Sequence, residues 1–80
     1  MKIVWSEGSW QDYSRDRVDR ERVDAVLRDI ALNGHTGIGR PVPLQLGLAG
    51  YWSRRISAQE RLIYKIDEAG ILVISCRYRD

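Results

Sequence analysis

Cysteine and histidine are almost missing from this chain: 80 residues hold one of each, Cys76 and His35. A lone cysteine excludes an intramolecular disulfide and any cysteine-based metal site, and one histidine beside it leaves no basis for a zinc centre. Long apolar runs are missing too. None approaches the roughly 18 residues needed to cross a bilayer, so no membrane partner is expected. The opening MKIVW passes straight into polar residues, without the apolar stretch of a signal peptide. These absences point to a cytoplasmic protein working without metal or other cofactor. No internal repeat or low-complexity tract breaks the chain. At this length there is room for one modest core, and residues 1–80 read as a single domain. With 44% hydrophobic and 30% charged residues, the composition is that of an ordinary globule.

Charge is scarce in the net (+2) but unevenly placed. Residues 1–38 carry six basic and seven acidic side chains, residues 39–80 seven basic and four acidic. An anionic partner is therefore to be sought on the C-terminal half.

The pattern predicts α+β: one N-terminal strand, two helices, then a mostly antiparallel sheet with the helices packed on one face. KIVW (2–5) is β-prone. Ser6 is a good N-cap with Glu7 in the first turn, so a first helix runs through Trp10 and Tyr13 and breaks near Ser14. From Arg17 to Leu32, Val23, Val26, Leu27 and Ile30 recur at helical spacing, and Asn33-Gly34 stops that helix. Residues 34–43, GHTGIGRPVP, form a connector. Its glycines match no phosphate-loop spacing, and His35 within it reads as a bystander. Beyond it the period becomes two, predicting strands at 44–46, 51–56, 61–66 and 71–79 with turns at 57–59 and 67–70.

A three-residue turn at 57–59 pairs Ile56 with Glu60 and Arg55 with Arg61. Alternation then puts Trp52, Arg54, Ile56, Leu62, Tyr64 and Ile66 on one face, a core face apart from Arg54. The other face carries Tyr51, Ser53, Arg55, Arg61, Ile63 and Lys65. In the last strand Cys76 falls on the core side with Leu72, Ile74 and Tyr78, while Arg77 and Arg79 join the polar face. Four arginines, Arg55, Arg61, Arg77 and Arg79, thus share one face with Tyr51 and Lys65. Opposed like charges destabilise a ladder, and planar guanidinium donors suit phosphate. Aromatic neighbours can stack on unpaired bases. An RNA-binding face is one reading; arginines paired with Glu60, Glu68 and Asp80 is the other.

Four stretches, MKIVWSEGSWQDY, GIGRPVPLQLGLAGYWSRRIS, ERLIYKI and ISCRYRD, together resemble the YoeB branch of the RelE-like toxins. These are ribosome-dependent mRNA interferases of type II toxin–antitoxin pairs. The resemblance implies a toxin that enters the ribosomal A site and cuts mRNA by 2′-hydroxyl attack on the adjacent phosphate. Its partners would be the ribosome, mRNA and a cognate YefM/Phd-like antitoxin, with a second copy of the chain as a further candidate. It also implies phosphate-binding roles for Arg55 and Arg61. The family's loop reads Pro-Glu-Pro-Leu-Lys, with Glu as general base; here Val42 and Gln45 stand at the Glu and Lys positions. The family's chain ends Arg-Tyr-His-Tyr, with His as acid; here Arg79 and Asp80 occupy the last two places. An isopropyl group accepts no proton, and a guanidinium is a poor donor near neutrality. The resemblance therefore implies an attenuated ribonuclease in which Arg55, Arg61, Arg79 and Tyr78 carry what catalysis remains. Arg77, Tyr51 and Lys65 would help to hold RNA. An inactive toxin fold that keeps antitoxin binding and a non-enzymatic RNA-binding module are the alternatives.

Overall fold

Two side-chain caps decide where the helices start. In a computed structural model that describes residues 1–79, Ser6 Oγ accepts the Ser9 amide and opens α1 (Glu7–Ser14). The Asp19 carboxylate accepts the Arg22 amide at 3.1 Å and opens α2 (Arg20–Asn33). The second helix begins three residues later than its periodicity predicts. Asp16 takes a left-handed φ of 60°, which an ordinary helix does not tolerate, and Asp19 caps better than Arg17. Gly34, with φ 68°, ends α2 by donating its amide to the Ile30 carbonyl, as its sequence predicts.

Among the described residues the strands are β1 (Ile3–Trp5), β2 (Val42–Pro43), β3 (Trp52–Arg55), β4 (Arg61–Asp67) and β5 (Gly70–Tyr78). They form one sheet in the order β1-β5-β4-β3-β2. β1 runs parallel to β5 and the other pairings are antiparallel. The core joins α2 to the sheet: Val23, Val26, Leu27 and Ile30 meet Ile56, Leu62, Tyr64, Ile71, Val73 and Cys76. Burying each such side chain fully is worth roughly 1.5–3 kcal/mol. On α1, Ser9 Oγ donates to the Val73 carbonyl at 3.1 Å, and Tyr13 reaches Asp24 of α2 at 2.6 Å. Trp5, Trp10 and Tyr13 cluster beside this seam, Trp10 stacked on Tyr13 and Trp5 meeting Trp10 edge to face.

The β3–β4 hairpin has its predicted register, with Arg55 opposite Arg61 and Ile56 donating to the Glu60 carbonyl at 2.9 Å. Its core face is also as predicted, with Ile56, Leu62 and Tyr64 buried and Trp52 and Ile66 packed against the core. Two expectations fail. Residues 44–46 are not a strand: Val42–Pro43 pairs with β3, and Leu46–Leu48 forms a 3-10 turn. Leu46 is 94% exposed at φ 58°, so its place in a period-two pattern did not reflect burial. In β5 simple alternation also fails. The pairs Tyr64–Val73, Ile63–Ser75 and Arg61–Tyr78 show two register shifts, each reversing which residues face the core. Ile71, Val73 and Cys76 are therefore buried together, while Leu72 and Ile74 are half-buried and Tyr78 is exposed.

Candidate functional site

Strand β2 is two residues long, yet it brings the Gly/Pro-rich connector back against the arginine hairpin. The Arg55 amide donates to the Gly39 carbonyl at 2.6 Å, and Val42 pairs with Ser53. Gly39, Arg40, Val42, Arg55 and Arg61 then line a cleft of about 130 Å³. Arg55 Nη1 donates to the Ala58 carbonyl at 3.0 Å, and Arg61 Nη1 to Ser53 Oγ at 3.4 Å. Arg40 holds a left-handed φ of 53°, a conformation costing a non-glycine residue roughly 1–3 kcal/mol. Among the described residues, three arginines and no acidic residue line the cleft. Such a set is suited to bidentate capture of phosphate oxygens. Val42, 43% exposed, adds an isopropyl group to that wall. Two larger grooves, lined by residues such as Ile3, Leu27 and Trp10, lie around β1 at the far edge of the sheet.

The predicted four-arginine face does not form. Tyr78, not Arg77 or Arg79, stands opposite Arg61. Arg77 donates to Glu60 Oε2 at 3.3 Å and lies 3.8 Å from Asp12 of α1. Arg79 reaches the same Glu60 oxygen at 3.5 Å. The β5 register shifts turn both toward Glu60, the arrangement that charge pairing alone would favour. Tyr51 and Lys65 keep their predicted face and meet each other, Nζ lying 5.6 Å from the ring centroid. They sit four residue pairs from Arg55–Arg61 along the ladder, about 14 Å away at the usual rise. Gln45 is exposed at the start of the 3-10 turn, and Asp80 lies outside the described residues. Arg40 was missed as a site residue; the signal was its place two residues before Val42 in GRPVP. His35 is better packed than a bystander, its ring stacked on Trp52 at 4.1 Å with Nδ1 3.4 Å from the Tyr64 hydroxyl.

A family profile described as YoeB-like toxin of bacterial type II toxin-antitoxin system matches residues 5–79. The chain belongs to this family. "Toxin YoeB" of Synechocystis sp. PCC 6803 is 43% identical over 98% of this chain and 95% of its own length. Among solved structures, a YoeB/ParE toxin from Agrobacterium tumefaciens is 38% identical, covers both chains completely and superposes with a TM-score of 0.90. Two chains from Staphylococcus aureus, one from a heterotetrameric YoeB–YefM complex and one from a YoeB dimer, are each 34% identical. They cover 100% of this chain and 98% of their own, with TM-scores of 0.89 and 0.90. The α+β arrangement of two helices on a mixed five-stranded sheet is thus that of the RelE-like YoeB toxins, and the chain is the toxin of a type II toxin–antitoxin pair. No helix among the described residues is long and apolar enough to cross a membrane.

Proposed function

We propose that this YoeB-family toxin is a ribosome-dependent mRNA endoribonuclease of reduced activity, acting in the cytoplasm as a single domain without a cofactor. The observation carrying this reading is the cleft in which Arg40, Arg55 and Arg61 surround Val42. In it, the 2′-hydroxyl of an mRNA nucleotide attacks the neighbouring phosphorus and the 5′-oxygen of the next nucleotide departs. Arg55 and Arg61, helped by Arg40, hold the phosphate and offset the charge that grows on its oxygens, a contribution worth roughly 10²–10³ in rate per donor. Tyr78, opposite Arg61 in the ladder, brings a phenol to the same end for proton transfer. Arg79 adds charge from the rim, and Tyr51 and Lys65 extend the track along which RNA lies; Arg77, turned to Glu60 and Asp12, stays off it. A positioned base and acid would each supply roughly 10²–10⁴-fold more; with Val42 in the wall the base is missing.

A cognate antitoxin of the YefM/Phd type would cover this face, its acidic and apolar C-terminal segment ordering on contact. A second copy of the chain is a further partner, in line with the dimeric S. aureus relative. The aprotic wall at Val42 also favours a second reading, a toxin fold that retains antitoxin binding without cutting. Cleavage of mRNA mapped in a purified translation system separates the two. Weak cutting at the ribosomal A site supports the first reading, and its loss in an Arg55→Ala, Arg61→Ala variant assigns it to the cleft. No cutting at any toxin concentration, with antitoxin still bound, supports the second.

A further inference from the structure

Among the described residues the largest fully buried side chain is a charged one, Arg54. It is next to Arg55 in β3 but points the opposite way, into the core. Its Nε donates to the Tyr64 hydroxyl at 3.3 Å. Nη1 donates to the Asp29 carboxylate and to the Ile38 carbonyl at 3.0 Å. Nη2 donates to the carbonyls of Gly34 and, at 3.0 Å, Thr36. All five N–H groups of a guanidinium are donors, and here they are spent on five acceptors.

Three of those acceptors are backbone carbonyls of one connector. Asp29 grips the same segment, its Oδ2 also accepting the Ile38 amide at 3.1 Å. The fit is close enough that a Cβ on Gly37 would lie 1.9 Å from that oxygen. The gripped segment ends at Gly39, bonded to Arg55, and runs on into Arg40 and Val42 of the cleft. Residues 34–38 are mostly exposed and belong to no helix or strand, so beyond the stack of His35 on Trp52 packing does little to fix them. A buried guanidinium is costly unless every donor is matched, and a hydrophobic side chain of that size would fill the core more cheaply. We propose that Arg54 is a positioning residue: it sets the distance between the Gly39–Val42 wall and the Arg55–Arg61 hairpin, and thereby the cleft's affinity for a phosphodiester. This inference rests on the cleft being the RNA phosphate site.

The test compares Arg54→Lys with Leu27→Ala, a core change on the β1 side of the sheet that loosens the fold without touching the connector. Lysine keeps the charge but not the fork that reaches several carbonyls together. Amide hydrogen exchange and binding of a short single-stranded RNA oligonucleotide are measured for both, and for the parent chain. In Arg54→Lys, exchange at the Ile38 and Arg55 amides should quicken at least tenfold beyond the change at core amides such as Tyr64, and RNA Kd should rise at least tenfold. Leu27→Ala should quicken exchange broadly and leave Kd within twofold. If Arg54→Lys does not fold, Asp29→Asn weakens the carboxylate arm and, read at the Arg55 amide because Asp29 itself accepts the Ile38 amide, should show the same effect more weakly. Equal behaviour of the arginine and leucine variants, in exchange and in Kd, overturns the proposal. If the parent chain fails to bind RNA, the phosphate-site reading falls. The exchange pattern then still decides whether Arg54 holds the wall.

Discussion

Arg55 and Arg61 face each other directly across the β3–β4 ladder, at the turn end of the hairpin. Opposed like charges carry a cost of a few tenths of a kcal/mol in a strand pair. RNA phosphate would offset it. Each phosphate contact on a single strand contributes roughly 0.7 to the slope of log K against log salt. Replacing both arginines by alanine should therefore flatten the slope for a single-stranded oligonucleotide by about 1.4. An unchanged slope would move RNA to another surface of the protein.

The placement of Val42 and Arg79 makes these two positions unequal. Val42 lines the cleft with three guanidinium groups, so a carboxylate installed there meets the phosphate site at once, and nearby cations favour its charged form. Arg79 sits outside the lining residues and is tied to Glu60. Val42→Glu alone should raise mRNA cleavage about 10²-fold or more, the lower range for a positioned base. Arg79→His alone should raise it far less. The double variant should exceed both, and cleavage mapped on ribosomes checks the order. A larger gain from Arg79→His than from Val42→Glu would mean that the proton donor limits the reaction.

Glu60 gathers Arg77 and Arg79 on one carboxylate oxygen, and so restrains two cations near the cleft. Ion pairs this exposed contribute about 0–1 kcal/mol. Glu60→Gln should lower stability by no more than that, a shift of a few degrees in Tm. It should also strengthen RNA binding severalfold at low salt, because a negative charge is removed and the Arg79 guanidinium is released, while Arg77 keeps Asp12. Unchanged affinity would show that Arg79 does not reach RNA.

Most of the fold was legible because its signals were local. Ser6, Gly34 and the period of Val23, Val26, Leu27 and Ile30 each specify a backbone conformation within a few residues. The hairpin register followed from its turn length. What could not be read were the β5 shifts, which break a period of two without any local signal, and they decided which arginines share a face. Arg54 stood out as the misfit on a core face, but its partners lie on α2 and in an irregular connector, where no periodicity reports contact. Arg40 was hidden for the same reason: its strained backbone follows from the closure of the loop onto β3.

Cys76 is fully buried, and its thiol is pushed up to about 11, chiefly by burial. The thiolate is the reactive form. An aromatic disulfide reagent at pH 8 should therefore label native protein only at the rate of global unfolding and label denatured protein at once. Rapid native labelling would mean that β5 opens locally near the cleft.

Acid should weaken the fold in two stages, and both signs follow from the packing around Arg54. Burial, then the nearby Arg54 charge, hold the His35 pKa below its ordinary value. The unfolded chain takes up that proton near pH 6.5, before the folded one does. Stability is thus unaffected above about 6.5 and declines as pH falls from there to the folded value. The Asp29 carboxyl is held below its ordinary range, first by the hydrogen bond from Arg54. Its contribution is complete above the unfolded value of about 3.9 and is lost as pH falls through the folded one. Melting temperature followed from pH 8 to 3 should show both declines. His35→Gln should remove the upper stage and leave the lower; Asp29→Asn should reduce the lower and, by loosening the Arg54 grip, depress Tm at every pH. An upper stage that persists in His35→Gln would assign it to another group and leave the stack on Trp52 without a role in acid sensitivity.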